Sequence, residues 1–161
     1  MTKRSFGQIL RQNHAVEHAT VTILSQRFPG APLMARSDLQ GFIVFGEADT
    51  QALSDAVQEA MARLQAGEAG LAIHPNCGTN LVTSAVLSGG AAMLAASGRN
   101  RSWADRLPSS VLAATLALIL AVPAGRWMQQ NVTTSADVAG LRIVNVARLP
   151  GGITRHRVRI A

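Results

Sequence analysis

A chain of 161 residues is about one domain's worth of protein. Close to half of it is apolar, yet aromatic residues make up only 4% and Tyr is absent. Any core therefore rests on Leu, Val, Ile and Ala, which is thin for a large soluble enzyme. The formal net charge of +6 points towards anionic surfaces, but the basic residues are not interleaved with aromatics and match no recognised binding module, so no nucleic-acid partner is expected.

In chain order, Ser5-Phe6-Gly7-Gln8 reads as a capping box. Ile9, Leu10, Val16, Ile23 and Leu24 follow at helical spacing until Phe28-Pro29-Gly30, which predicts a first helix from about Phe6 to Phe28. Two short extended runs come next, Pro32 to Arg36 and Gly41 to Gly46, joined by Ser37 to Gln40 as a β-hairpin. Asp49 or Thr50 can cap a second helix with Leu53, Val57, Ala60, Met61 and Leu64 on its apolar face, and Gly67 closes it.

Two uncharged runs interrupt this pattern. From Leu107 to Gly125 no side chain is charged, and Val111 to Val122 is nearly all Ala, Leu, Val and Ile. That approaches the roughly 20 apolar residues needed to span a bilayer as a helix. The run from Leu81 to Ser97 is weaker because Ser, Gly and Ala replace larger side chains. Its pairs Ser84 with Ser88, and Ala85 with Gly89, are of the small-xxx-small kind that lets helices approach closely in lipid. The alternative is a buried hairpin in a soluble protein.

Neither run is near the N-terminus, so neither reads as a cleavable signal peptide, although Met1 to Arg4 is basic. A hairpin puts both flanks on one face of the membrane. The connection from Gly98 to Arg106 carries Arg99, Arg101 and Arg106, which would draw it into the cytoplasm. Against this, residues 1–79 would then cross without a signal sequence, while Arg126 and the basic C-terminal region pull inward. Cytoplasmic termini in the bacterial cytoplasmic membrane are therefore expected.

Beyond the hairpin, Leu141 to Ala147 and Ile153 to Ile160 read as strands around the turn Pro150-Gly151-Gly152. In the last strand Arg155, Arg157 and Arg159 share one face, and His156, Val158 and Ile160 the other. The expected fold is α+β: two amphipathic helices on a small antiparallel sheet, interrupted by a two-helix transmembrane hairpin. Its expected parts are residues 1–79, the hairpin at 80–126, and a C-terminal β-hairpin at 127–161 that completes the sheet.

Two clusters could carry chemistry. His14-Ala15-Val16-Glu17-His18 matches H-x-x-E-H, the inverted zinc-protease arrangement. On a helix His14 and His18 are one turn apart, about 5–6 Å between Cβ atoms, so both imidazoles can reach one metal ion, with Glu17 beside them as a general base towards water. The bland reading is a helix whose histidines and glutamate face water or each other. The second cluster, His74-Pro75-Asn76-Cys77-Gly78-Thr79-Asn80, holds the only cysteine, which excludes an intramolecular disulfide. It directly precedes the first apolar run, where Thr79 or Asn80 can cap a helix and a helix N-terminus lowers a thiol's pKa. His74 and Cys77 are spaced so that one or both could point at a common ion. The bland reading here is a polar turn at the membrane surface with a small buried cysteine.

Taken together, His14, Glu17 and His18 with His74, Pro75, Cys77, Gly78 and Thr79 before an apolar segment resemble the YqhQ-like bacterial membrane proteins. That is an uncharacterised family described as predicted metal-dependent enzymes, whose members are longer with more membrane segments. The resemblance covers about a fifth of the chain and implies a metal site and a membrane location, with no established substrate. The expected function is a membrane-bound, zinc-dependent hydrolase, of which a peptidase is one form: His14 and His18 bind the ion, His74 or Cys77 completes the ligands, and Glu17 is catalytic. Its partners are then the lipid bilayer and a protein or peptide substrate. The rival is a non-enzymatic membrane protein with a structural or sensory metal site, whose basic sheet face meets anionic lipid or a protein partner.

Overall fold

A computed structural model describes residues 4–97 and 102–161. Arg99 and Arg101, and most of the basic Met1 to Arg4 segment, lie outside the described residues. The chain forms two compact units, one that runs to His74 and resumes at Gln130, and a second from Pro75 to Gln129.

The first unit opens with helix α1, Phe6–Arg27. Ser5 caps it as its sequence requires, its hydroxyl accepting the Gln8 N–H at 3.2 Å. The strands β1, Met34–Asp38, and β2, Gly41–Phe45, form the expected antiparallel hairpin. The turn is tighter than Ser37 to Gln40, because the Asp38 carboxylate accepts the Gln40 N–H at 2.8 Å and closes it locally. Gly41 then has φ +134°, and a Cβ there would lie 2.2 Å from the Val158 carbonyl oxygen. Only glycine lets the neighbouring strand approach so closely.

Helix α2, Thr50–Gln65, is capped by Asp49, which accepts the Ala52 N–H at 2.9 Å. It ends in a Schellman motif. The Gly67 N–H donates to Leu64 and the Glu68 N–H to Arg63, with Gly67 at φ +95°. A short 3₁₀ turn, Ala69–Ala72, follows.

The sheet is completed by β3, Ile143–Arg148, and β4, Arg155–Ile160, each slightly shorter than its apolar run. The strand order is β1-β2-β4-β3, every neighbouring pair antiparallel, with Phe42 opposite Val158 and Val44 opposite His156. The alternation in β4 holds: His156, Val158 and Ile160 are buried, while Arg155 and Arg159 are exposed. Arg157 is half-buried instead, because it pairs with Asp38, Nη2 to Oδ1 at 2.7 Å. That guanidinium holds the Asp38 carboxyl below the usual carboxylate range. Val16, Leu24, Leu53 and Val57 from the two helices meet Phe42, Val44 and Val158 from the sheet in one core. The unit is α+β.

The second unit is a pair of packed helices, α3, Gly78–Ala96, and α4, Trp103–Met128. The N-cap of α3 is Cys77, not Thr79 or Asn80: the sulfur accepts the Thr79 N–H at 3.4 Å. Asn80 works sideways instead, its Oδ1 accepting from Gln129 Nε2 at 2.7 Å beside Gly125, where a Cβ would meet that same oxygen at 2.4 Å.

Small residues face inward in this pair. Ser84, Ser88, Ala91 and Ala95 are half-buried along α3; Ala113 and Ala117 are half-buried and Ala121 and Gly125 buried along α4. Ala85 and Gly89 are exposed and take no part. The larger apolar side chains point outward, among them Val82, Val86, Leu112, Leu116 and Ile119. The hydroxyls of Thr83, Ser88 and Thr115 each donate to the carbonyl four residues earlier, so these helices satisfy their own polar groups. Both are long and apolar enough to cross a membrane.

Candidate metal centre

Helix α1 is unusual for a core helix because many of its buried side chains are polar. Gln12, Asn13, Glu17, His18 and Thr20 are all buried beside Ala15, Val16 and Ala19. Burying such groups is unfavourable unless each finds a partner. Gln12 Nε2 and Asn13 Nδ2 donate to backbone carbonyls of distant segments, Asp137 at 2.6 Å and Asp38 at 2.8 Å, while the Thr20 hydroxyl donates to the Val16 carbonyl one turn earlier at 2.7 Å.

The two motif histidines follow the same rule. His14 Nδ1 lies 2.9 Å from the Thr133 carbonyl oxygen, and His18 Nδ1 lies 2.7 Å from that of Ala72. A carbonyl oxygen can only accept, so each Nδ1 carries the proton, which in a neutral imidazole leaves Nε2 as the nitrogen with the lone pair a metal would need. The rings stand 4.3 Å apart at 63°, with ligand nitrogens within 4.8 Å of one another. That is short enough for both to reach one ion, and the carbonyl anchors are the usual second layer behind a metal-binding imidazole. The donor set fits a metal.

The bond to Ala72 also explains how the second motif reaches the first. It fixes the 3₁₀ turn against α1, and two residues later the His74 ring lies 5.9 Å from that of His18. His14, His18 and His74 are therefore brought together within the first unit. Glu17 is on the same helix and 7% exposed. Cys77 belongs to the second unit, where its sulfur serves as the cap of α3.

Sequence reading missed the two anchoring carbonyls, of Thr133 and Ala72. A backbone acceptor leaves no mark in residue type. The available signal was indirect: the polar run Arg11-Gln12-Asn13 directly before His14, on a helix that has to be buried.

A family model described as a domain of unknown function, DUF6391, matches residues 9–146, a span that includes both motifs and both apolar helices. An uncharacterized protein of the cyanobacterium Picosynechococcus sp. is 39% identical over 135 residues, which cover 78% of this chain and 66% of the relative. The chain thus spans slightly less than two thirds of that relative's length. No solved structure matches. What these matches show is an uncharacterised family, DUF6391, and not the YqhQ-like name expected from the motif residues.

Proposed function

The chain belongs to the DUF6391 family, whose function is unknown, and from its own side chains we propose that it is a membrane-anchored, zinc-dependent hydrolase. His14 and His18 bind the ion, and His74 or Cys77 completes the ligands. The observation that carries this reading is the pair of bonds from His14 Nδ1 to Thr133 and from His18 Nδ1 to Ala72, which aims two imidazole lone pairs one helical turn apart. Cys77 enters through the covalent chain. It is three residues after His74, so their Cα atoms stay within about 11 Å of one another.

Imidazole and thiolate donors suit zinc, whose contribution is Lewis-acid activation of water. Glu17, held one residue before His18, takes the proton from the attacking water as general base. The five-residue H-x-x-E-H pattern is the one inverted zinc proteases carry, without their third, glutamate ligand, which makes peptide bonds the first substrate class to test. The bilayer is the second partner. Apolar side chains cover the outside of the helix pair and small ones its inside, the reverse of a soluble bundle. We place the protein in the bacterial cytoplasmic membrane with both termini in the cytoplasm.

A second reading, a closed structural or sensory site, is favoured by the His74 ring beside His18, which supplies a potential fourth ligand. In that reading the exposed Arg155 and Arg159 would meet anionic lipid or a protein partner. Elemental analysis of detergent-purified protein, paired with an assay of peptide hydrolysis, decides between these readings and against both. A stoichiometric ion should be present in the wild type and lost in H14A and C77A. Glu17→Gln should keep the ion while abolishing hydrolysis of peptide substrates; loss of the ion in E17Q would make Glu17 a ligand and sink the general-base role. A wild type that retains no ion sinks the metal centre itself.

A further inference from the structure

The acceptor that fixes His14 is itself held by another residue of α1. Arg11 Nη2 donates to the carbonyls of Asn131 at 3.1 Å and Thr134 at 3.0 Å, and its Nε donates to Thr134 at 3.2 Å. Thr133, whose carbonyl accepts from His14 Nδ1, lies between those two points. The backbone adds to the grip, since the Ser135 N–H donates to the Arg11 carbonyl at 3.0 Å. A π-helical turn, Gln129–Thr133, leads into this segment, and such turns widen the helix and turn carbonyls out of the regular ladder. A guanidinium is a planar, rigid fork, so it can hold two carbonyls at a fixed spacing where a point charge cannot.

We propose that Arg11 is a positioning residue of the metal centre: by clamping the carbonyls of Asn131 and Thr134 it sets the Thr133 carbonyl against His14 Nδ1, and so sets the tautomer and orientation of that ligand ring. This deepens the metal-site reading and rests on it. The role proposed for Arg11 needs no contact with His14. Its influence runs through one backbone oxygen. Partners behind a metal ligand are worth 10–100-fold in affinity, so its loss should weaken binding by about that factor.

A merely structural role predicts something else. An arginine that only ties off helix-end carbonyls would, when removed, loosen the whole unit and disturb both histidines alike. The positioning role disturbs one. His18 is anchored separately, through Ala72, and serves as the internal reference.

The experiment uses full-length protein in detergent, metal-free, at about pH 8, where imidazoles are ordinarily neutral. Nitrogen-15 spectra of the histidine rings report which nitrogen carries the proton. In the wild type both His14 and His18 should be Nδ1-protonated. In Arg11→Ala, His14 should shift to an Nε2-protonated or mixed form while His18 is unchanged, and zinc titration should show roughly 10–100-fold weaker binding. Arg11→Lys, which can reach one carbonyl but not fork across two, should give an intermediate His14 signal and keep the fold if R11A does not. Wild-type His14 signals in either variant, or equal changes at His14 and His18 in R11K, overturn the proposal. A wild type that binds no zinc while its His14 signal still responds to R11A leaves the positioning of the ring intact and refutes the metal-site reading instead.

Discussion

His156 shows how one buried side chain can set the acid sensitivity of the first unit. It is 1% exposed, its Nε2 lies 2.9 Å from the Thr50 hydroxyl, and its Nδ1 has no hydrogen-bond partner among the described residues. Burial is the larger cause that lowers its pKa below 6.5; Arg148 adds repulsion, and Asp49 opposes both. The unfolded chain therefore takes up this proton at a higher pH than the folded one. Its stabilising contribution is complete above about pH 6.5 and is lost as pH falls from there towards the folded value. Asp38, whose pKa is also lowered, loses its contribution only below the carboxylate value of 3.8. Melting temperature followed from pH 8 downwards should thus begin to fall near 6.5, and His156→Gln should flatten that first decline. An unchanged slope in H156Q would mean that another group is responsible.

The α3 start shows two roles on one atom, and they can be separated. Cys77 caps the helix through its sulfur, and the proposed centre uses the same sulfur as a ligand. Serine is a good N-cap and a poor zinc ligand, whereas alanine is neither. Both C77S and C77A should lose metal. Only C77A should also lose the cap, a cost of about 0.5–1 kcal/mol visible in thermal unfolding of the metal-free protein. Retention of a full complement of metal in C77S would remove the thiolate from the ligand set and leave His74 as the third protein ligand. A similar division of labour marks α4, where Ala113, Ala117, Ala121 and Gly125 recur every four residues to admit a close neighbour while Leu112, Leu116 and Ile119 face outward.

At the scale of the whole molecule, the sheet constrains the topology. Strand β2 lies before the apolar helices and β4 after them, yet Phe42 pairs with Val158 and Val44 with His156. Strands can pair only in the same compartment. The chain between them must therefore cross a membrane an even number of times, which two spanning helices satisfy. Tags at the two termini, read by protease protection in oriented vesicles, should be found on the same side, and for the proposed orientation that side is the cytoplasm. Tags on opposite faces would be incompatible with the β2–β4 pairing.

Local chemistry left readable marks. Ser5 and Asp49 cap their helices because a short oxygen side chain before an apolar helical repeat has little else to do, and Gly67 ends α2 because a positive φ favours glycine. The alternation in β4 and the two apolar runs followed from side-chain period and length, and the histidine pair followed from the helical repeat. The cap of α3 was misplaced, because a cysteine sulfur is a weak acceptor and hydroxyl and amide neighbours compete for the assignment. Strand order, the tie between β2 and β4, and the carbonyls behind His14 and His18 could not be read in advance. These contacts join residues far apart in the chain, several through backbone atoms that every residue shares. The sequence alone singled out side chains of the types that hold metals; tertiary structure decided that Nδ1 of His14 and of His18 each meets a carbonyl, because that depends on oxygens supplied from other parts of the fold.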